Sequence, residues 1–117
     1  MTSAFNIDPP TITIRGKQTT LRPFGRGAAR ILAQLSNIED ENDKAGAFVV
    51  AYAAIYSLPP NEAYEAVNNE ERFNREVGIA DMELSSADLQ AVAEYIAGVN
   101  QRTSEATVSV DSSPGKP

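Results

Sequence analysis

Cysteine, histidine and tryptophan are all missing from this 117-residue chain. Without Cys there are no disulfide staples and no thiol nucleophile. Without His there is no imidazole base, and zinc sites built on the usual ligands are excluded. A reducing compartment suits such a sequence. Aromatic residues are sparse, four Tyr and four Phe, so Ala, Val, Ile and Leu must make most of any core. Long apolar runs are missing too. The longest uncharged apolar stretch, residues 45–58, is too short to span a bilayer and reads as a buried helix. Residues 1–10 have neither a basic start nor an apolar run and do not read as a signal peptide. The length leaves room for one domain.

Negative charge is in excess overall, at -6, but it is unevenly spread. Residues 1–30 carry Arg15, Lys17, Arg22, Arg26 and Arg30 against Asp8, a balance of +4. Residues 31–117 carry five basic against fifteen acidic residues, a balance of -10. An acidic body disfavours nucleic acid, because neutralising phosphates needs clustered Lys and Arg. The basic head lacks the interleaved aromatics of a single-strand binder. The gradient serves solubility. It also allows the basic head of one copy to match the acidic body of another, with Arg15, Lys17, Arg22, Arg26 and Arg30 as candidate electrostatic contacts. In that form of self-association, reversing Arg15 and Arg22 to Glu is expected to abolish it, and salt to weaken it.

The order of elements predicts a mainly α (α+β) fold: an N-terminal two-stranded β-hairpin packed on a small bundle of about four helices. Pro9-Pro10 closes a flexible arm over 1–10. Ile12 and Ile14 then alternate with Thr11, Thr13 and Arg15, the period of a half-buried strand. Gly16-Lys17 predicts the tight turn, with Gly16 suited to a type II′ geometry. Residues 18–21 return as a second strand, ended by Pro23. Two strands alone are marginal, so the hairpin needs a helix or sheet to pack on.

Ala28, Ile31, Leu32, Leu35 and Ile38 form one apolar helical stripe. The acidic run Glu39-Asp40-Glu41-Asn42-Asp43 predicts a turn and a favourable helix start. The next helix, about 43–57, is apolar nearly all round, with Phe48, Val49, Val50, Tyr52, Ile55 and Tyr56. Such a helix must be buried all round or present part of its surface to another protein. Phe48, Tyr52, Ile55, Tyr56 and Tyr64 are therefore candidate protein-interface residues as well as candidate core. Pro59-Pro60 separates this helix from a short one over 61–68. A further one or two turns from Glu70 are expected to close at Gly78. Ser85-Ser86-Ala87-Asp88 is an N-cap signature ahead of Leu89, Val92, Ala93, Ile96 and Val99, and this helix is expected to end near Arg102. The folded domain then spans 11–102, and the Ser-, Thr- and Pro-containing residues 103–117 read as a disordered tail.

Sites of chemistry are hard to build from this inventory. Gly25-Arg26-Gly27-Ala28-Ala29-Arg30 sits where a dinucleotide fingerprint would, yet Arg30 replaces its third glycine and no parallel βαβ unit follows. Its glycines read as a swing from hairpin to helix. Asp40 and Asn42 are spaced like the first ligands of a calcium loop, but Lys44, Ala45 and Ala51 occupy positions that need a ligand, a glycine and a bidentate Glu. The pairs Glu62 and Glu65, and Glu70-Glu71, lie in polar helices with nothing to exclude water or shift a pKa. Binding proteins, not catalysis, is the function class that remains. No catalytic residue, cofactor or metal is assigned.

The run ITIRGKQTTLRPFGRGAARIL resembles the opening of the tail assembly chaperones of siphophages, the lambda-like tail chaperone family. The matching positions are Ile12, Thr13, Ile14, Gly16, Lys17, Thr20, Leu21, Arg22 and Pro23, in a two-stranded element leading straight into a helix. LSSADLQAVAEYI is similar to the family's last helix. The resemblance follows the order of elements over about residues 11–100 and is motif-like only in the hairpin. It implies a chaperone that binds the tape measure protein, a long aggregation-prone helical chain, helps recruit the major tail protein of the tube, and tends to self-associate. It implies action in the host bacterial cytoplasm during assembly and absence from the mature virion. Such chaperones commonly have a second, longer form made by ribosomal frameshifting. Pro114-Gly115-Lys116 permits a slippery codon run, although the codons decide it. Two other readings stand beside this one: a small structural virion protein (connector or tail completion), and an acidic regulator or antitoxin-like protein that occludes a basic partner.

Overall fold

The computed structural model describes residues 8–111, with side chains for residues 8–100. The fold is mainly helical with an N-terminal antiparallel hairpin, as the pattern predicts. Strands β1 (Thr11–Ile14) and β2 (Lys17–Thr20) pair with Ile14 opposite Lys17 and Thr11 opposite Thr20. This register turns one residue earlier than expected. The central turn residues are Arg15 and Gly16, both at positive φ (55° and 80°), a type I′ rather than a type II′ turn. Left-handed backbone is uncommon for Arg. Here it is held from outside, because the Arg15 N–H donates to Glu83 and its guanidinium is bound elsewhere in the fold. Ile12 and Ile14 are buried on one face, and Leu21 follows them into the core.

Five helices follow: α1 (Gly27–Gln34), α2 (Glu41–Tyr56), α3 (Pro60–Val67), α4 (Glu70–Glu83) and α5 (Ser86–Asp111). Helix α1 stops at Gln34, before the end of its apolar stripe, and the chain tightens into i→i+3 turns that carry Leu35 and Ile38. Three of the other starts are capped by side chains. Asp40 accepts from the Asp43 N–H, Asn69 from the Arg72 N–H, and Ser85 from the Asp88 N–H.

Two helix ends differ from expectation. Gly78 does not close α4, which runs to Glu83. A mid-helix glycine costs only about 1 kcal/mol, and Phe73, Val77 and Ala80 keep the helix docked on either side of it. Helix α5 passes Arg102 and reaches Asp111, because extending an existing helix fixes one residue per hydrogen bond gained and no Pro or Gly intervenes before Pro114. Of the expected tail, 112–117 lie outside the described residues, as do 1–7 of the expected arm.

Helix α2 is the axis of the fold. It packs against α1, α3, α4 and α5, while β1 leans on α4 and α5. Among the described residues, every buried side-chain nitrogen or oxygen has a hydrogen-bond partner. Among them, too, no helix is long and apolar enough to cross a membrane.

Candidate functional site

The hairpin end of α2 is closed by arginines. A helix leaves its last carbonyls without intrahelical donors, and its C-terminus carries partial negative charge. Arg15 donates to the Ala54 carbonyl (3.2 Å) and to Ser57 Oγ (2.9 Å). Arg22 donates to the carbonyls of Leu58 (3.2 Å) and Ile55 (3.3 Å), and its guanidinium lies 4.9 Å from the centre of the Tyr56 ring. The Arg22 backbone N–H donates to the Tyr56 carbonyl. Arg15 also pairs with Glu76, a buried carboxylate that faces Arg72 on its other side. Arg72 in turn holds Glu62 (3.2 Å) and Glu65 (3.0 Å). The Glu62 and Glu65 pair is thus a clasp between α3 and α4.

Beside this cap the tyrosines form a stack. Tyr52 and Tyr56 lie with ring centres 4.2 Å apart, and Phe24 covers the other side of Tyr52 at 5.6 Å. Their hydroxyls stitch the β2–α1 connection to the helices. Tyr52 donates to the Arg22 carbonyl, Tyr56 to the Gly25 carbonyl, and the Phe24 N–H donates to Tyr95. A Cβ at position 27 would stand 3.1 Å from the Tyr56 hydroxyl, so Gly27 serves this close approach. Burial pushes the phenols of Tyr52 and Tyr56 up from their ordinary value, although Arg22 acts in the opposite sense on both.

These positions revise the candidate residues. Tyr52, Ile55 and Tyr56 are core, at 0%, 2% and 5% exposure, and Ile55 and Tyr56 show only an edge, in a groove at the end of α2. The hairpin, the Phe24 segment and the neighbouring helices together cover most of this half of α2. Phe48 is half-buried, and Tyr64 on α3 is exposed at 64%. Arg15 and Arg22 are engaged within the fold, whereas Lys17, Arg26 and Arg30 stay on the surface. Arg30 reaches Asn68 (3.1 Å).

Among the described residues, grooves flank α2 on two sides. The first, about 250 Å³, lies between α1, the N-terminal half of α2 and α5. Its floor is Phe24, Ala28, Leu32 and Phe48, and Glu41 and Lys44 line it as well. The second, about 300 Å³, lies where the β2–α1 connection meets α3 and the end of α2. Arg22, Arg26 and Arg30 line it with Tyr56 and Tyr64, and no acidic side chain does. Phe24 and Leu32 went unnoticed as surface residues in the sequence. The one signal available was the stripe position of Leu32, which reads as core, yet Leu32 is 47% exposed.

Among the described residues no group of three or more acidic side chains could hold a metal ion. Comparison of the chain with protein-family models, with curated proteins and with solved structures finds no match.

Proposed function

We propose that this chain is a non-catalytic binding protein whose first groove takes an amphipathic helix of a client chain. The observation that carries the reading is the unfinished cover of α2. Ala47, Phe48, Val49 and Val50 are only half-buried, and beside them the groove pairs an apolar floor with one acidic and one basic residue, Glu41 and Lys44. A helix with an apolar stripe meets such a groove in the usual helix-in-groove manner. Following the resemblance of the hairpin segment, the client is the tape measure protein, and the function is chaperoning of phage tail assembly, with recruitment of the major tail protein. Many weak copies along one long helical client gain avidity without a tight single site.

The test is co-expression with the tape measure protein encoded in the same genome. The wild-type chain should keep it soluble and co-purify with it. Phe48→Asp and Leu32→Asp should lose both effects while remaining folded. A tape measure protein equally soluble without the chain sinks the proposal. Mass spectrometry of purified virions separates the structural-protein reading, since a chaperone should be absent from particles. The coding DNA around Pro114, and the frame that follows it, decides whether a longer form exists.

A further inference from the structure

The first groove has a charge pattern as well as an apolar floor. On α2, Glu41, then Lys44 and Ala45, then Phe48 follow one another at helical spacing, and all of them line it. Its wall therefore passes from acidic to apolar within about two turns, roughly 10 Å of helix. Glu41 is exposed, and Glu39, Asp40 and Asp43, within two residues of it in the chain, are exposed as well. None of these carboxylates forms an ion pair among the described residues. Lys44, half-buried, is the one cation lining the groove. Helix α1 keeps its arginines on the other side. Ala28 and Leu32 line the first groove, whereas Arg26 and Arg30 line the second.

An apolar stripe cannot by itself select among amphipathic helices, because all of them have one. Charge beside the stripe can, since like charges pressed together on docking are penalised and opposite charges are steered in. The carboxylates around Glu41 lie close enough to act together within a screening length of about 8 Å at physiological salt. Lys44 and the positive end of α2, equivalent to about half a charge, offset only part of them. This end of the groove is left negative.

We propose that the helix taken up by the first groove is cationic. Its apolar stripe lies on Phe24, Leu32 and Phe48, and Lys or Arg residues beside the stripe, about two turns from the side chain seated on Phe48, meet Glu41 and its neighbours. The proposal rests on the helix-in-groove reading given above and adds the sign of charge that a client must carry. An equally apolar helix flanked by Asp or Glu is rejected at the same end.

The test is fluorescence anisotropy of two labelled helical peptides titrated with the full chain. Both carry the same leucine stripe, one flanked by Lys and the other by Glu. The Lys peptide should bind at least about tenfold more tightly at low salt, and the gap should close as salt rises. Glu39→Gln with Glu41→Gln should narrow the gap several-fold. Glu70→Gln with Glu71→Gln, exposed at the start of α4 and lining neither groove, should leave it unchanged. Leu32→Ser, an uncharged change at an exposed position, should weaken both peptides. Equal affinity for the two peptides overturns the charge rule and leaves the groove reading standing. Lys-peptide binding that ignores Leu32→Ser, or that falls as much with the α4 pair as with Glu39 and Glu41, is attraction to surface charge alone and overturns the proposal. Binding of neither peptide overturns the charge rule and the groove reading together.

Discussion

In α2, residues 51–56 are sealed from solvent, whereas 45–50 are open or half-covered, although both stretches are almost wholly apolar. The difference lies in what the rest of the chain delivers to each half. The C-terminal half receives the hairpin arginines on its carbonyls and Phe24 and Tyr95 against its tyrosines. The N-terminal half receives α1 and α5 with a groove left between them. Hydrophobic patterning sets how much surface a helix wants to bury. Long-range contacts decide how much of it the fold buries by itself, and the remainder is what a partner can use.

If the sealed half is core, truncating it should have the largest effect. Tyr52→Ala removes the centre of the aromatic stack together with its bond to the Arg22 carbonyl, and should cost about 3–5 kcal/mol. Phe48→Ala, at the half-covered end, should cost well under half of that. Urea midpoints at constant slope measure both. Equal losses would mean that the N-terminal half is as much core as the other.

The cap at the sealed end should come next. Glu76 is buried between Arg15 and Arg72, and removing one partner of a buried pair typically costs about 3–5 kcal/mol. The Arg15 side chain is 24% exposed, which moves the expectation for Glu76→Ala to the low end, about 3 kcal/mol. Released from Glu76, Arg15 also loses part of what holds its left-handed turn, so amide exchange should rise first in the hairpin. Uniform loss of protection across the molecule would show that the clasp does not hold the hairpin specifically.

High pH attacks the same half. The phenols of Tyr52 and Tyr56 are raised in the folded chain, while in the unfolded chain they titrate near pH 10. Above that pH the unfolded chain binds fewer protons than the folded one, so stability falls as pH rises. Each of the two groups contributes up to about 1.4 kcal/mol per pH unit until its folded pKa is reached. Tyrosinate absorbance should show these two titrating together with unfolding. Phenolates that form before the circular dichroism changes would mean that the sealed half admits water.

The hairpin, the order of the helical segments, the acidic helix start at 39–43 and the cap at Ser85 were legible because each depends on residues within a turn or two. The turn register was not. Arg15 takes the left-handed position through Glu76 and Glu83, more than sixty residues away, and no local pattern announces that. The N–H of Thr13, on the open side of β1, is likewise covered by Asp88, which the sequence presents only as part of a helix start. For the candidate site the pattern identified α2 but not which half was free. Tyr52, Ile55 and Tyr56 and the half-covered Phe48 share one apolar signature, and the covering segments are not adjacent in sequence. Gly78 misled for a related reason, since tertiary packing overrides a weak local penalty.

The smallest expected effect has the opposite sign and tests the half-covered end most cleanly. Gly46 lies inside α2, exposed, at ordinary negative φ, and a Cβ built there meets nothing within 4 Å. Gly46→Ala should therefore stabilise the chain by about 0.4–1 kcal/mol, because alanine gives up less backbone freedom on folding. Gly46 is not among the residues lining the first groove, so client binding should be unchanged while the melting temperature rises. A gain in stability joined to a loss of binding would place the client contact around the exposed back of α2 instead of in the groove. A loss of stability would mean that this part of α2 is already covered and that the two halves of the helix do not differ as described.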